Sequence, residues 1–224
     1  MATVLVIGAS RGIGLEFVRQ YVDAGDRVIA TARDAAGLSR LRELGATALK
    51  LNVADPASIS GLAWQLDGEE IDLALYVAGV WSGDGAVAPP TQPEFDRVMH
   101  TNVLGAMQAI PQVAPLVEAS RQGGRFAFIT SGMGQIGSVE SSYGWTYRVS
   151  KAALNMAVAA AQHDYPRATL VALCPGWVQT DMGGAGAPLT VHDSVSAMRR
   201  TLAGLTPAHR GAFLHHDGRR YDGW

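Results

Sequence analysis

The sequence predicts a doubly wound α/β fold built on a central parallel sheet of about seven strands. Two observations carry this expectation. Short apolar runs alternate with longer amphipathic stretches along the whole chain. The short runs are continuously apolar rather than alternating, which is the pattern of strands buried on both faces. Right-handed crossovers between such strands then lay helices on both sides of one sheet.

The apolar runs lie at residues 4–7, 27–31, 47–51, 71–77, 125–130, 168–173 and 211–214. Helical patterns fill the gaps at 13–24, 35–44, 57–66, 94–119, 147–164 and 192–202. The longest carries Pro111 and Pro115, where a break or kink is expected because proline removes a helical hydrogen bond. No repeat, linker or low-complexity segment interrupts the pattern, so residues 1–224 are expected to form a single domain.

Composition narrows the function classes. Of 224 residues, 48% are hydrophobic and 17% charged, the balance of a globular protein rather than a disordered one. A formal net charge of -2 gives no general attraction to nucleic acid. No window holds 18 uninterrupted apolar residues, so no membrane span is expected. The first apolar run leads into a glycine motif without a basic region before it, and reads as a strand rather than a signal peptide. The single cysteine, Cys174, excludes an internal disulfide. Together these favour the cytoplasm. His215-His216 reads as a solvated pair, and no metal-ligand spacing occurs, so no metal is expected.

The residues Gly8-Ala9-Ser10-Arg11-Gly12-Ile13-Gly14 follow the first strand and open the first helix. Glycines allow a tight turn and close backbone approach to a pyrophosphate, and the helix N-terminus offers free N–H groups and a positive dipole end. The spacing is GxxxGxG rather than GxGxxG. Arg33 follows the second strand, where a nucleotide ribose would lie. An arginine there suits a 2′-phosphate, and Arg11 can reach the same region. In such a sheet ligands bind at the carboxyl ends of strands near the switch point. The glycine turn, Ala78-Gly79, Ser131 and Pro175-Gly176 all fall there.

Tyr147 and Lys151 are four residues apart in a helical pattern and so share one face. A phenol has an unperturbed pKa near ~10. A neighbouring ammonium is expected to lower it, so that the tyrosine donates a proton to a carbonyl oxygen, or accepts one in reverse.

The set Gly8, Gly12-Ile13-Gly14, Ala78-Gly79, Asn102, Ser131, Tyr147, Lys151 and Pro175-Gly176 resembles the short-chain dehydrogenase/reductase family over essentially the whole chain. Residues 102–105, 147–156 and 175–184 resemble more narrowly its C-factor and Sniffer-like carbonyl reductase branch. The resemblance implies a Rossmann-type domain and an NADP(H)-dependent oxidoreductase acting on a small carbonyl or alcohol substrate. It implies a catalytic set of Asn102, Ser131, Tyr147 and Lys151. Ser131 would bond the substrate oxygen, and Asn102 would hold a water that relays protons to Lys151. It also implies cofactor contacts from Gly8, Ser10, Arg11, Gly12, Ile13, Gly14, Arg33, Asn52, Val53, Ala78, Gly79, Tyr147, Lys151, Pro175, Gly176, Val178 and Thr180.

Two departures stand out. The family's Asn-Asn-Ala-Gly is Tyr76-Val77-Ala78-Gly79 here, which puts local sheet support in doubt. Gln135 stands where the branch often has serine. Ser138, Ser141 and Ser142 are fallbacks for Ser131. Residues 183–189 are glycine-rich and read as a mobile substrate loop or a turn, while Trp81, Trp145 and Trp177 suit an apolar pocket or ordinary packing. Alanines along 152–161 suit a homodimer or homotetramer contact, or burial within the monomer. A non-catalytic NADP-binding signalling protein resembling C-factor is the alternative function.

Overall fold

The computed structural model describes all 224 residues. Its seven strands are β1 (Thr3–Ile7), β2 (Arg27–Ala32), β3 (Thr47–Lys50), β4 (Leu73–Tyr76), β5 (Arg125–Ile129), β6 (Thr169–Cys174) and β7 (Phe213–His215). They form one sheet in the order β3-β2-β1-β4-β5-β6-β7, with every neighbouring pair parallel. Every expected strand is present. Both faces of each central strand are covered, so the apolar runs had no polar alternation to blur them.

The helices are α1 (Gly12–Asp23), α2 (Ala35–Glu43), α3 (Pro56–Ser60), α4 (Leu62–Gln65), α5 (Gln92–Met99), α6 (Gly105–Glu118), α7 (Trp145–Ala161) and α8 (Val191–Ala203). Successive strand residues point to opposite faces. Leu5, Ile7 and Tyr76 therefore join one core with α6 and α7. Val4, Val6 and Leu75 join another with α1 and α8. No helix is long and apolar enough to cross a membrane.

The stretch at 94–119 departs from expectation in an instructive way. It does not break at its prolines. α6 runs unbroken through Pro111 and Pro115, both on the exposed face, where water can satisfy the carbonyls they leave unpaired. The irregularity is a π-helical turn over His100–Leu104, between α5 and α6. The stretch at 57–66 is likewise two short helices, α3 and α4. The order of the sheet reverses beside β1, between β2 and β4, and the crevice above that point is the site.

Candidate active site

The glycine turn is shaped by contacts that admit no side chain. A Cβ on Gly8 would lie 2.6 Å from the Ala78 nitrogen, and Gly8 has φ +88°. A Cβ on Gly14 would lie 2.3 Å from the Gly8 carbonyl oxygen. The first contact sets the turn against the loop after β4; the second packs α1 onto β1. Arg11 precedes α1 without a side-chain cap, and the first turn holds no acid. Its leading N–H groups, Gly12, Ile13 and Gly14, have no intrahelical acceptor. This is a cradle for an anionic group. Gly12 faces Thr180 across the crevice, with 3.6 Å from its Cβ position to the threonine methyl.

Tyr147 and Lys151 are both buried, and Lys151 Nζ lies 5.5 Å from the centre of the Tyr147 ring. Nζ donates to the Ile129 carbonyl at 2.8 Å. Asn102, fully buried in the π turn, accepts from Val80 N at 2.8 Å and donates to Val80 O and Ser150 Oγ, each at 2.9 Å. Gly79 sits between them: its Cβ position is 3.5 Å from both Asn102 Oδ1 and Lys151 Nζ. Ser131 caps a short 3-10 turn, Gly132–Gly134, and accepts from Met133 N at 3.1 Å. Gly134 lies directly on α7, 2.8 Å from the Lys151 carbonyl carbon at its Cβ position, which holds Ser131 near Tyr147. Ser138 bonds Gln135 Oε1 at 2.9 Å, and Ser141 caps Tyr143, so these fallbacks serve their own loop.

The phenol does not titrate as the spacing of Tyr147 and Lys151 suggested. Burial raises its pKa above the ordinary value, and the Ser131 hydroxyl offsets only part of that. Burial also lowers Lys151, to about 8. The Lys151 ammonium does not compensate: Nζ is 5.5 Å from the ring centre and donates to Ile129 O. Desolvation wins over the neighbouring charge.

Tyr76 resolves the missing asparagine. Its ring is fully buried against Phe128, and its hydroxyl donates to Thr101 O at 2.9 Å. That carbonyl belongs to the π turn. A Cβ on Gly105 would come within 2.6 Å of the Tyr76 oxygen, so glycine makes room for the bond. Tyrosine thus ties β4 to the turn that aims Asn102. Tyr76→Phe should lower stability by about 1–2 kcal/mol, the cost of stranding a buried carbonyl, read by urea unfolding. Unchanged stability would show that the carbonyl has another partner.

At the other end of the crevice, Arg33 is exposed and forms no salt bridge. Arg11 is instead paired with Asp181 at 2.9 Å, linking the glycine turn to the loop after β6. Sequence reasoning missed Arg40, which reaches from α2 to donate to Ser10 O at 3.0 Å. Its spacing of three from Gly37, which packs on Ser10 and Ala32, is the available signal. Asn52 turns its Oδ1 onto Ala54 N, and Val53 beside it is buried.

Asp84 was also missed. It accepts from Thr146 N and from the Thr146 and Ser82 hydroxyls at the start of α7. Burial raises its pKa, but these bonds outweigh that and hold it low. Trp81 packs on Tyr147 with 4.7 Å between ring centres. Trp177 is exposed and donates to Gly183 O at 2.8 Å. Residues 183–189 fold back rather than hang free. Val178 bridges Leu189, Gln179 N bonds Leu189 O at 2.9 Å, and Ala187 is buried. Pro175 O accepts from Ser194 Oγ, and Gly176 takes φ +80° against Leu189.

This arrangement has counterparts among known proteins. The short chain dehydrogenase family model matches residues 2–187. A Rhodococcus sp. (strain AD45) protein, 1-hydroxy-2-glutathionyl-2-methyl-3-butene dehydrogenase, is 32% identical over 97% of this chain and 98% of its own. C-signal of Myxococcus xanthus is 40% identical over 63% of this chain and 84% of its own. A carbonyl reductase of Pseudomonas aeruginosa PAO1, solved in complex with NADP, superposes with a TM-score of 0.85 at 27% identity, covering 100% of both chains. On a family match that spans most of its length, and on a sheet, glycine cradle and buried Tyr147–Lys151 pair that agree with it, the chain belongs to the short-chain dehydrogenase/reductase family.

Proposed function

We propose that this chain is an NADP(H)-dependent carbonyl reductase, working as one short-chain dehydrogenase/reductase domain. The observation that carries the reading is the buried Tyr147–Lys151 pair, with Asn102 and Lys151 flanking Gly79 at the strand ends beside the glycine cradle. The uncapped N-terminus of α1 and the side-chain-free space at Gly8 and Gly14 fit a dinucleotide pyrophosphate. Gly12, Ile13 and Gly14 would hold that group, and Asn52, Val53, Ala78 and Gly79 would border its adenosine half. Pro175, Gly176, Val178 and Thr180 would border its nicotinamide half. The chemistry such a dinucleotide would supply, when bound, is a hydride for the carbonyl carbon.

The chain's own residues manage the proton. Tyr147, kept protonated by burial, donates from its phenol oxygen to the substrate oxygen. The Ser131 hydroxyl bonds the same oxygen and stabilises its developing charge. Lys151 Nζ would hold the cofactor ribose, and its positive charge would stabilise the phenolate left after proton donation. Asn102 keeps Val80 and Ser150 in place around it. Trp81 covers the Tyr147 ring and excludes water. Following NADPH absorbance across a panel of aldehydes and ketones tests the reading. Turnover supports it; binding without turnover on every member favours the signalling alternative, whose support is the likeness to C-signal.

Cofactor choice rests on Ala32 and Arg33. Ala32 offers no carboxylate to a ribose 2′-hydroxyl, while Arg33 is free to pair with a 2′-phosphate. A charged hydrogen bond contributes about 1.5–3 kcal/mol, or roughly ten- to hundredfold in affinity. Arg33→Ala should therefore weaken NADPH binding by about tenfold after screening and leave NADH nearly unchanged. Equal dissociation constants for the two cofactors in the wild-type protein would remove this reading.

The protein acts as a homodimer or homotetramer in the cytoplasm. The π turn, α6 and α7 expose Leu104, Met107, Val149 and Met156, an apolar stripe suited to a second copy. A single buried cysteine suits a reducing compartment. Met156→Arg should shift sedimentation toward the monomer without loss of fold. A wild-type monomer at all working concentrations would end the oligomer proposal.

A further inference from the structure

At the N-terminal end of the sheet, remote from the crevice, a cavity of about 520 Å³ opens between α1, α8 and the strand starts. Arg125, Arg199 and Arg200 line it, with Asp26 and Asp72. Both oxygens of Asp72 and one oxygen of Asp26 are engaged elsewhere. Asp26 accepts from Ala2 N at 2.9 Å, and Asp72 accepts from Thr3 N at 2.8 Å and Ser120 Oγ at 2.7 Å. None of the three arginines belongs to a salt bridge. The Nε atoms of Arg125 and Arg199 are buried without a partner. Those buried nitrogens are out of a ligand's reach, but Arg125 and Arg200 make no side-chain hydrogen bond and both line the cavity, so their guanidinium groups are left for an acceptor that the protein does not supply.

The surroundings favour a small anion. Arg199 sits over Tyr21, its Cζ 4.4 Å from the ring centre, which restrains its fork. It donates to Gln20 Oε1 at a long 3.4 Å, with the Tyr21 phenol oxygen also beside it. Burial pushes the Tyr21 phenol up to about 12, so it remains a donor facing the same space as Arg199 and Arg125. Guanidinium forks match the planar oxygens of carboxylate and the face of phosphate. The volume admits such a group on a small molecule rather than a polymer.

We propose that this cavity binds a small oxyanion, a carboxylate or phosphate group, held by Arg125, Arg199 and Arg200 and separate from the catalytic crevice. The test is thermal unfolding of the full chain titrated with inorganic phosphate and with citrate, against sodium chloride at matched ionic strength. NADP⁺ is held constant throughout, so that a phosphate effect at the glycine cradle is common to all proteins compared. A saturable rise in Tm is expected with at least one probe. A rise with phosphate alone points to a phosphate group, and a rise with citrate alone to a carboxylate. Arg199→Gln should move the titration midpoint at least tenfold higher. Exposed Arg200→Gln, which carries little risk to the fold, should move it in the same direction, while carbonyl turnover without the probe stays unchanged. A rise that follows ionic strength only, or midpoints identical in wild type and both variants, would overturn the proposal. The outcome is independent of whether the crevice reduces carbonyls.

Discussion

Tyr147→Phe is expected to lower carbonyl reduction by about 10²–10⁴-fold while leaving NADPH affinity nearly intact. The substitution removes one oxygen and keeps the ring that packs on Trp81. The lost oxygen is the proton donor, and the Ser131 hydroxyl that bonds it is a far weaker acid. Stability should change little, because the buried phenol is costly to desolvate and its chief compensation comes from one hydroxyl. Pre-steady-state mixing with a verified substrate separates the two parts. Normal binding with an intact hydride step would sink the acid role of Tyr147; lost binding would mean that the ring's packing, not its proton, was disturbed.

The second large effect is expected from Lys151→Met. Turnover should fall by about 10²-fold, as when one preorganised charge donor is removed, and cofactor affinity should fall with it. The effect on stability has the opposite sign at neutral pH. Lys151 has its pKa lowered from 10.5 to about 8 by burial, so the folded protein disfavours its proton more than the unfolded chain does. That penalty is full below about 8 and relaxes as pH rises toward 10.5. The methionine variant should therefore gain stability relative to wild type at pH 7 and lose that advantage by pH 10. Urea unfolding at the two pH values measures it. A difference that does not vary with pH would show that burial does not govern this lysine.

Much of this was legible in the sequence, for definite reasons. Strands β1, β4, β5 and β6 are buried on both faces, so their residues are apolar in unbroken runs. The glycine turn was legible because Gly8 and Gly14 are constrained by backbone contact, which leaves only one residue type possible. What failed depended on the third dimension. The prolines of α6 were read as breaks, but their effect depends on which face meets water. The π turn is tied by Asn102 and Tyr76 to distant segments, which no local pattern encodes. Arg40 and Asp84 looked like ordinary surface charges until their acceptor and donors were in place. The expected direction of the Tyr147 shift was wrong because spacing reveals a neighbour's charge but not the loss of water.

The strand order carries a consequence for how the molecule is made. β1 pairs with β2 on one side, but its other side belongs to β4, from Val4 with Leu73 to Ile7 with Tyr76. Synthesis delivers β1, β2 and β3 well before β4 emerges. During that interval the nascent chain carries a ribbon, Thr3–Ile7, whose last four side chains are almost wholly buried in the finished protein. Its hydrogen-bonding edge is unpaired, and it bears no charge or proline to deter another strand. Non-local pairing of this kind closes late. Chains that stall or terminate between β3 and β4 therefore offer one another a ready template, and a chaperone that shields this edge until Leu73 is available would protect the fold at its most vulnerable stage.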